Sequence, residues 1–152
     1  MKMLHPLALM STAMIALTTT AAFAAKPAQL DDGLPTTLRP ANYKAKYPTD
    51  TAAVSRGEKL FRSDKLSTNG RACSNCHSDA STFGPNFSKP YPHPAMNSQA
   101  RFGVPKLHLD EVVQVCLQGP LRGTPLEWGS QEQADLVAYL THVQKTGKMS
   151  AH

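Results

Sequence analysis

Five consecutive residues, Cys73-Ser74-Asn75-Cys76-His77, constrain this chain more than any others. Two thiols separated by two residues and followed at once by an imidazole form C-x-x-C-H, the attachment pattern for c-type haem. The spacing has a chemical reason. Two thiols add across the two vinyl groups of a haem and form thioethers. A two-residue spacer lets one short turn reach both vinyls, and the next residue then places its imidazole under the iron. A thiol redox pair would not need the histidine. A zinc site would need a second pair of ligands, and Cys116 is the one other cysteine in the sequence.

The rest of the chain suits a small domain folded around one such group. At 152 residues it has a one-domain length. Three cysteines are too few for a disulfide scaffold. Twelve prolines and nine glycines call for long irregular stretches between few regular elements. These figures weigh against a coiled coil, a repeat array and a large sheet.

The N-terminus reads as an address. Lys2 and His5 precede an apolar run from Leu7 to Leu17, and Ala22-Phe23-Ala24 follows. This is the order of a basic region, a hydrophobic core and an A-x-A cleavage site. The run is too short to cross a bilayer of roughly 30 Å at about 1.5 Å per residue. Residues 1–24 are therefore expected to be a cleaved signal peptide, with the mature chain in the periplasm and without a membrane span. Loss of Lys2 leaves 15 cationic against 11 acidic side chains, a net charge of +4. That balance is modest, and haem propionates would lower it, so nucleic acid is a poor partner. Lys and Arg near a haem edge would instead steer an acidic redox protein. Residues 25–50 form an irregular arm, free or pinned through Tyr43 and Tyr47. A domain over residues 51–148 follows.

Helical periodicity marks three elements. Gly57 and Phe61 are four apart and share one face of a helix starting near Ser55. Leu109, Val112, Val113, Cys116 and Leu117 form an apolar stripe, with Asp110 and Glu111 in the first turn and Gly119 as the stop. Leu136, Tyr139, Leu140 and Val143 form another, which opens on a Ser130/Gln133 capping box and stops at Gly147. A crossing at Gly57 would bury Phe61 against Tyr139 or Leu140. Residues 81–105 hold five prolines and read as an irregular loop over one haem edge.

From about Thr51 to Thr146 the sequence resembles the class I cytochromes c. The resemblance is carried by Val54–Phe61, by the haem motif, by Gly84-Pro85-Asn86-Phe87 and by Ala138-Tyr139-Leu140. It implies a small all-α fold of three to five helices around one covalently bound haem, with long Pro-rich loops, and electron transfer by that haem c, with no general acid or base. Cys73 and Cys76 would hold the porphyrin, and His77 would be the proximal iron ligand. By the same resemblance the Pro85 carbonyl would accept the N–H of His77.

The distal ligand is where the sequence departs from that family. Its methionine usually lies just before the last helix. Here Met96 comes only 19 residues after His77, and Met149 lies beyond the helix. Cys116 is better placed, on the inward stripe of the preceding helix. Arg101–Leu126, with Cys116 and then Gly123-Thr124-Pro125-Leu126, is similar to the haem domains of sulfur-oxidation cytochromes, and Asn69-Gly70-Arg71-Ala72 fits them too. In those proteins the cysteine is the axial ligand opposite the histidine. Cys116 is thus the leading distal ligand, Met96 the alternative, and His93 and His108 lesser ones. A thiolate would lower the iron potential and a thioether raise it. The functional alternatives are a haem subunit or enzyme of thiosulfate oxidation, and a gas-binding or sensor haem protein with an open site.

Overall fold

The computed structural model describes residues 38–149. The expected signal peptide, 1–24, and residues 25–37 of the expected arm lie outside the described residues. Four α-helices occur among the described residues, without a strand: α1 (Thr51–Phe61), α2 (Ser98–Phe102), α3 (Leu109–Gln118) and α4 (Gln131–Thr146). Single 3₁₀ turns cover Asp64–Leu66, Cys73–Asn75 and Ala80–Thr82. The fold is all-α, and no helix among the described residues is long and apolar enough to cross a membrane.

α1 begins one turn before the expected start. Asp50 caps it, its carboxylate accepting the Ala53 N–H at 2.9 Å. Ala53, Gly57 and Phe61 recur every four residues and are its buried face. That face crosses α4. A Cβ on Gly57 would land on the Asp135 carbonyl oxygen and lie 2.8 Å from the Tyr139 Cβ, so only hydrogen permits this approach. Phe61 packs on Tyr139, as expected, with ring centroids 5.2 Å apart and planes at 54°. Beside the crossing, Arg56 grips buried Asp135 with two bonds, Nε to Oδ2 at 2.7 Å and Nη2 to Oδ1 at 2.8 Å.

α4 starts and stops where expected, with one change. Ser130 Oγ accepts the Gln133 N–H at 3.3 Å. The Gln133 side chain does not return that bond to Ser130. Its Oε1 accepts from Gly129 N–H at 2.9 Å, because Ser130 N–H already donates to the Glu127 carbonyl. Gly147 takes the left-handed conformation, φ 64°, and its N–H bonds the Val143 carbonyl at 2.8 Å.

α3 is buried on more than its apolar stripe. Leu109, Val113 and Leu117 join the main core with Leu136, Leu140 and Val143 of α4. Asp110 and Gln114, polar and outside that stripe, are fully buried. The arm accounts for Asp110: Arg39 Nε lies 2.9 Å from both carboxylate oxygens, and the Tyr47 hydroxyl also bonds the group. Glu111 takes the Arg39 N–H at 2.9 Å and the His108 N–H at 2.7 Å, holding the arm and capping α3 together. Tyr43 packs on Trp128, centroids 5.0 Å apart. Over residues 38–50 the arm is therefore docked rather than free. Met149, expected in a frayed tail, packs against the main core. Helix α2 interrupts the stretch expected to be wholly irregular, with Phe102 buried.

Candidate functional site

The Cys73–Asn75 turn displays the motif. Cys76 N–H and His77 N–H both bond the Cys73 carbonyl, at 3.2 and 3.0 Å. Asn75, one of the two spacer residues, accepts the Ala72 N–H on its side-chain oxygen at 2.6 Å and clamps the turn from below. The preceding loop is tied to the end of α3: Asn69 Nδ2 donates to the Pro120 carbonyl at 3.0 Å and Thr68 Oγ1 to the Arg122 carbonyl at 2.7 Å. At Gly123 a Cβ would strike the Leu66 carbonyl oxygen, so a glycine lets these two loops touch. These ties bring Cys73, Cys76 and His77 to the same cavity as Cys116, 39 residues after His77 in sequence.

That cavity measures about 470 Å³, within the roughly 300–1,000 Å³ range of cofactor sites. Its wall is mostly apolar, with Phe61, Leu121, Leu136 and Leu140 contributed by the core. Pro85, Met96 and His93 also line it. His108 does not: it sits at the N-cap of α3, outside the lining. Val112 and Cys116, one turn apart, turn the second edge of the α3 stripe toward the cavity while Leu109, Val113 and Leu117 go to the core.

The titratable groups feel this apolar wall. Burial pushes the Cys73 thiol up to about 11, and the neighbouring Cys76 adds to the shift. Burial also pushes Cys116 up to about 12, with Cys73 and Cys76 acting in the same sense and Arg101 opposing. Burial lowers the His77 pKa, against a weaker opposite effect of the Thr82 backbone. Burial thus favours the neutral imidazole, the form that binds a metal. Cys76 is exposed, at the rim.

The expected bond from His77 to the Pro85 carbonyl is not formed. His77 Nδ1 is buried and has no hydrogen-bond partner. The imidazole is held by its face instead, stacked on Phe83 at 4.3 Å and 4°, with Phe87 stacked on Phe83 at 4.1 Å. Gln144 of α4 secures that loop, its Nε2 donating to the Phe87 carbonyl at 2.7 Å and the Lys89 carbonyl at 2.6 Å. Sequence reading missed Phe83, Asn75 and Gln144. The i, i+4 aromatic pair Phe83/Phe87 was the one visible signal.

The donor set fits a haem. Two free thiols and one neutral imidazole on a single turn face an apolar cavity of cofactor size. No group of three or more His, Cys, Asp or Glu side chains among the described residues converges as a cage for a bare metal ion. No protein-family model matches the chain, and no similarity to a curated protein or to a solved structure is found.

Proposed function

We propose that this chain is a monohaem c-type cytochrome that carries electrons in the periplasm. One observation carries the reading: Cys73, Cys76 and His77 lie on one clamped turn in the wall of an apolar cavity of about 470 Å³. When bound, a haem supplies an iron that cycles between Fe(III) and Fe(II). The chain supplies the rest. Cys73 and Cys76 would hold the porphyrin through thioethers, Cys76 being the exposed thiol of the two. His77 would bind the iron, its ring oriented by stacking on Phe83, which Phe87 backs. Phe61, Leu136 and Leu140 keep water from the macrocycle, which limits reorganisation on electron transfer. Pro85 lines the cavity near its mouth. The partner would be an acidic redox protein, in keeping with the net positive charge of the chain.

The test is the mass and colour of the protein. After expression with a working haem-maturation apparatus, the purified chain should be red and heavier than the bare polypeptide by one haem. A colourless product at the polypeptide mass would falsify the reading.

A second reading is a haem subunit or enzyme of thiosulfate oxidation. It is favoured by Cys116, whose thiol lines the cavity and feels the charge of Arg101. Turnover of thiosulfate with an electron acceptor separates the two. Sustained reduction of the acceptor would favour the enzyme, and its absence the carrier.

A further inference from the structure

We infer that His93 is the side chain that meets the iron opposite His77, in place of Cys116 or Met96. The inference rests on the haem reading above and concerns a residue that the sequence ranked low.

His93 is 8% exposed and lines the cavity. Its Nδ1 lies 2.9 Å from the Pro94 carbonyl oxygen. A carbonyl can only accept, so Nδ1 carries the hydrogen and Nε2 presents a lone pair. That Nε2 is buried and has no hydrogen-bond partner. Buried polar groups are normally satisfied, and an unpaired one asks for a partner that the polypeptide does not supply. Metal-binding histidines have this arrangement. One ring nitrogen donates to a backbone carbonyl, which sets the tautomer, and the other takes the metal.

The imidazole is also held in place beforehand. His93 N–H donates to the Leu107 carbonyl at 3.2 Å, and Leu107 N–H donates back at 3.1 Å. The Tyr91 ring lies 4.1 Å from the imidazole, tilted by 37°. This pairing anchors an otherwise irregular segment against the loop that leads into α3. A ligand needs such fixing, because a loosely held donor loses entropy each time it binds.

The competitors lack it. Cys116 lines the cavity one turn from Val112 on α3, with no hydrogen bond to fix its thiol. Met96 is carried on a left-handed backbone, φ 51°, beside Asn97 at φ 55°. That conformation is natural for asparagine and strained for methionine. Nothing in the hydrogen bonding aims either sulfur.

Two imidazoles would close both axial positions with neutral nitrogen donors. The experiment uses the exported holoprotein and its variants His93→Ala, Cys116→Ala and Met96→Leu. Ferric EPR, near-infrared magnetic circular dichroism and CO binding to the ferrous form are the readouts. The wild type should show a low-spin bis-imidazole signature and bind no CO. His93→Ala should become high-spin, bind CO, and recover the low-spin spectrum when imidazole is added. Cys116→Ala and Met96→Leu should keep the wild-type spectrum. If His93→Ala fails to fold, the wild-type spectrum alone still decides. A thiolate or thioether signature in the wild type overturns the assignment and leaves the haem reading standing. A wild-type chain without covalent haem removes both.

Discussion

The α1–α4 crossing and the cavity wall are built by opposite means. At the crossing, two regular helices meet through Gly57 and Tyr139, and close contact leaves no gap. Around the cavity, the backbone is mostly irregular, and side chains fasten it by bonds to backbone groups. Asn69 holds Pro120, Asn75 holds Ala72, and Gln144 holds Phe87 and Lys89. Gln114 bonds Leu126 in both directions, at 2.6 and 2.9 Å. The difference has a physical basis. A packed core holds its shape by filling space, whereas walls around a void have nothing to press against and need directional bonds.

The largest expected effect tests the chemistry of the wall. Cys73→Ala with Cys76→Ala should abolish covalent haem, read as the bare-chain mass, while far-ultraviolet dichroism keeps its helical signal from α1 and α4. Retained covalent haem would break the assignment of those thiols. Next comes the crossing. Gly57→Val should cost about 3 kcal/mol in denaturant unfolding, since overpacking against a backbone carbonyl cannot relax by a rotamer change. An unchanged midpoint would show that the helices can separate freely.

Third is the arm. Arg39→Ala leaves the buried Asp110 carboxylate without its cation, and should cost about 2 kcal/mol. The figure is below that for a fully enclosed pair because Arg39 is 22% exposed. Burial already raises the Asp110 pKa, with Arg39 opposing. The folded chain thus favours the protonated carboxyl, and stability falls as pH rises from the ordinary value through the raised one. Removing Arg39 enlarges that loss, so the deficit should be greater at pH 7 than at pH 4. A pH-independent deficit would sink this account.

The smallest effect sharpens the comparison. Gln144→Ala frees two carbonyls and should cost about 1 kcal/mol. Its distinctive readout is the holoprotein, where a loosened Phe83–Phe87 stack should shift the reduction potential measurably. A potential identical to wild type would make Gln144 a purely structural clamp.

The regular part of the fold was legible before any coordinates. Periodicity of 3.6 placed α3 and α4 within a residue or two, and the Gly57–Phe61 pair foretold which faces cross. The capping box was half right, because Gln133 found a better donor in Gly129 than in Ser130. The buried Asp110 and Gln114 were not legible. Their partners, Arg39 and Leu126, are 71 and 12 residues away, and no local pattern announces such a bond.

The same division runs through the site. Local sequence alone determined the C-x-x-C-H turn, since two thiols and an imidazole within five residues need only one tight turn to converge. It also determined that Cys116 faces inward, since its helix has an apolar side. Only the tertiary structure decided that Phe83 rather than Pro85 supports His77, and that His93 keeps a buried, unpartnered Nε2 while His108 sits at the N-cap of α3. Those outcomes depend on loop backbones, whose course is set by bonds to residues far along the chain, and such bonds exist only once the helices have packed.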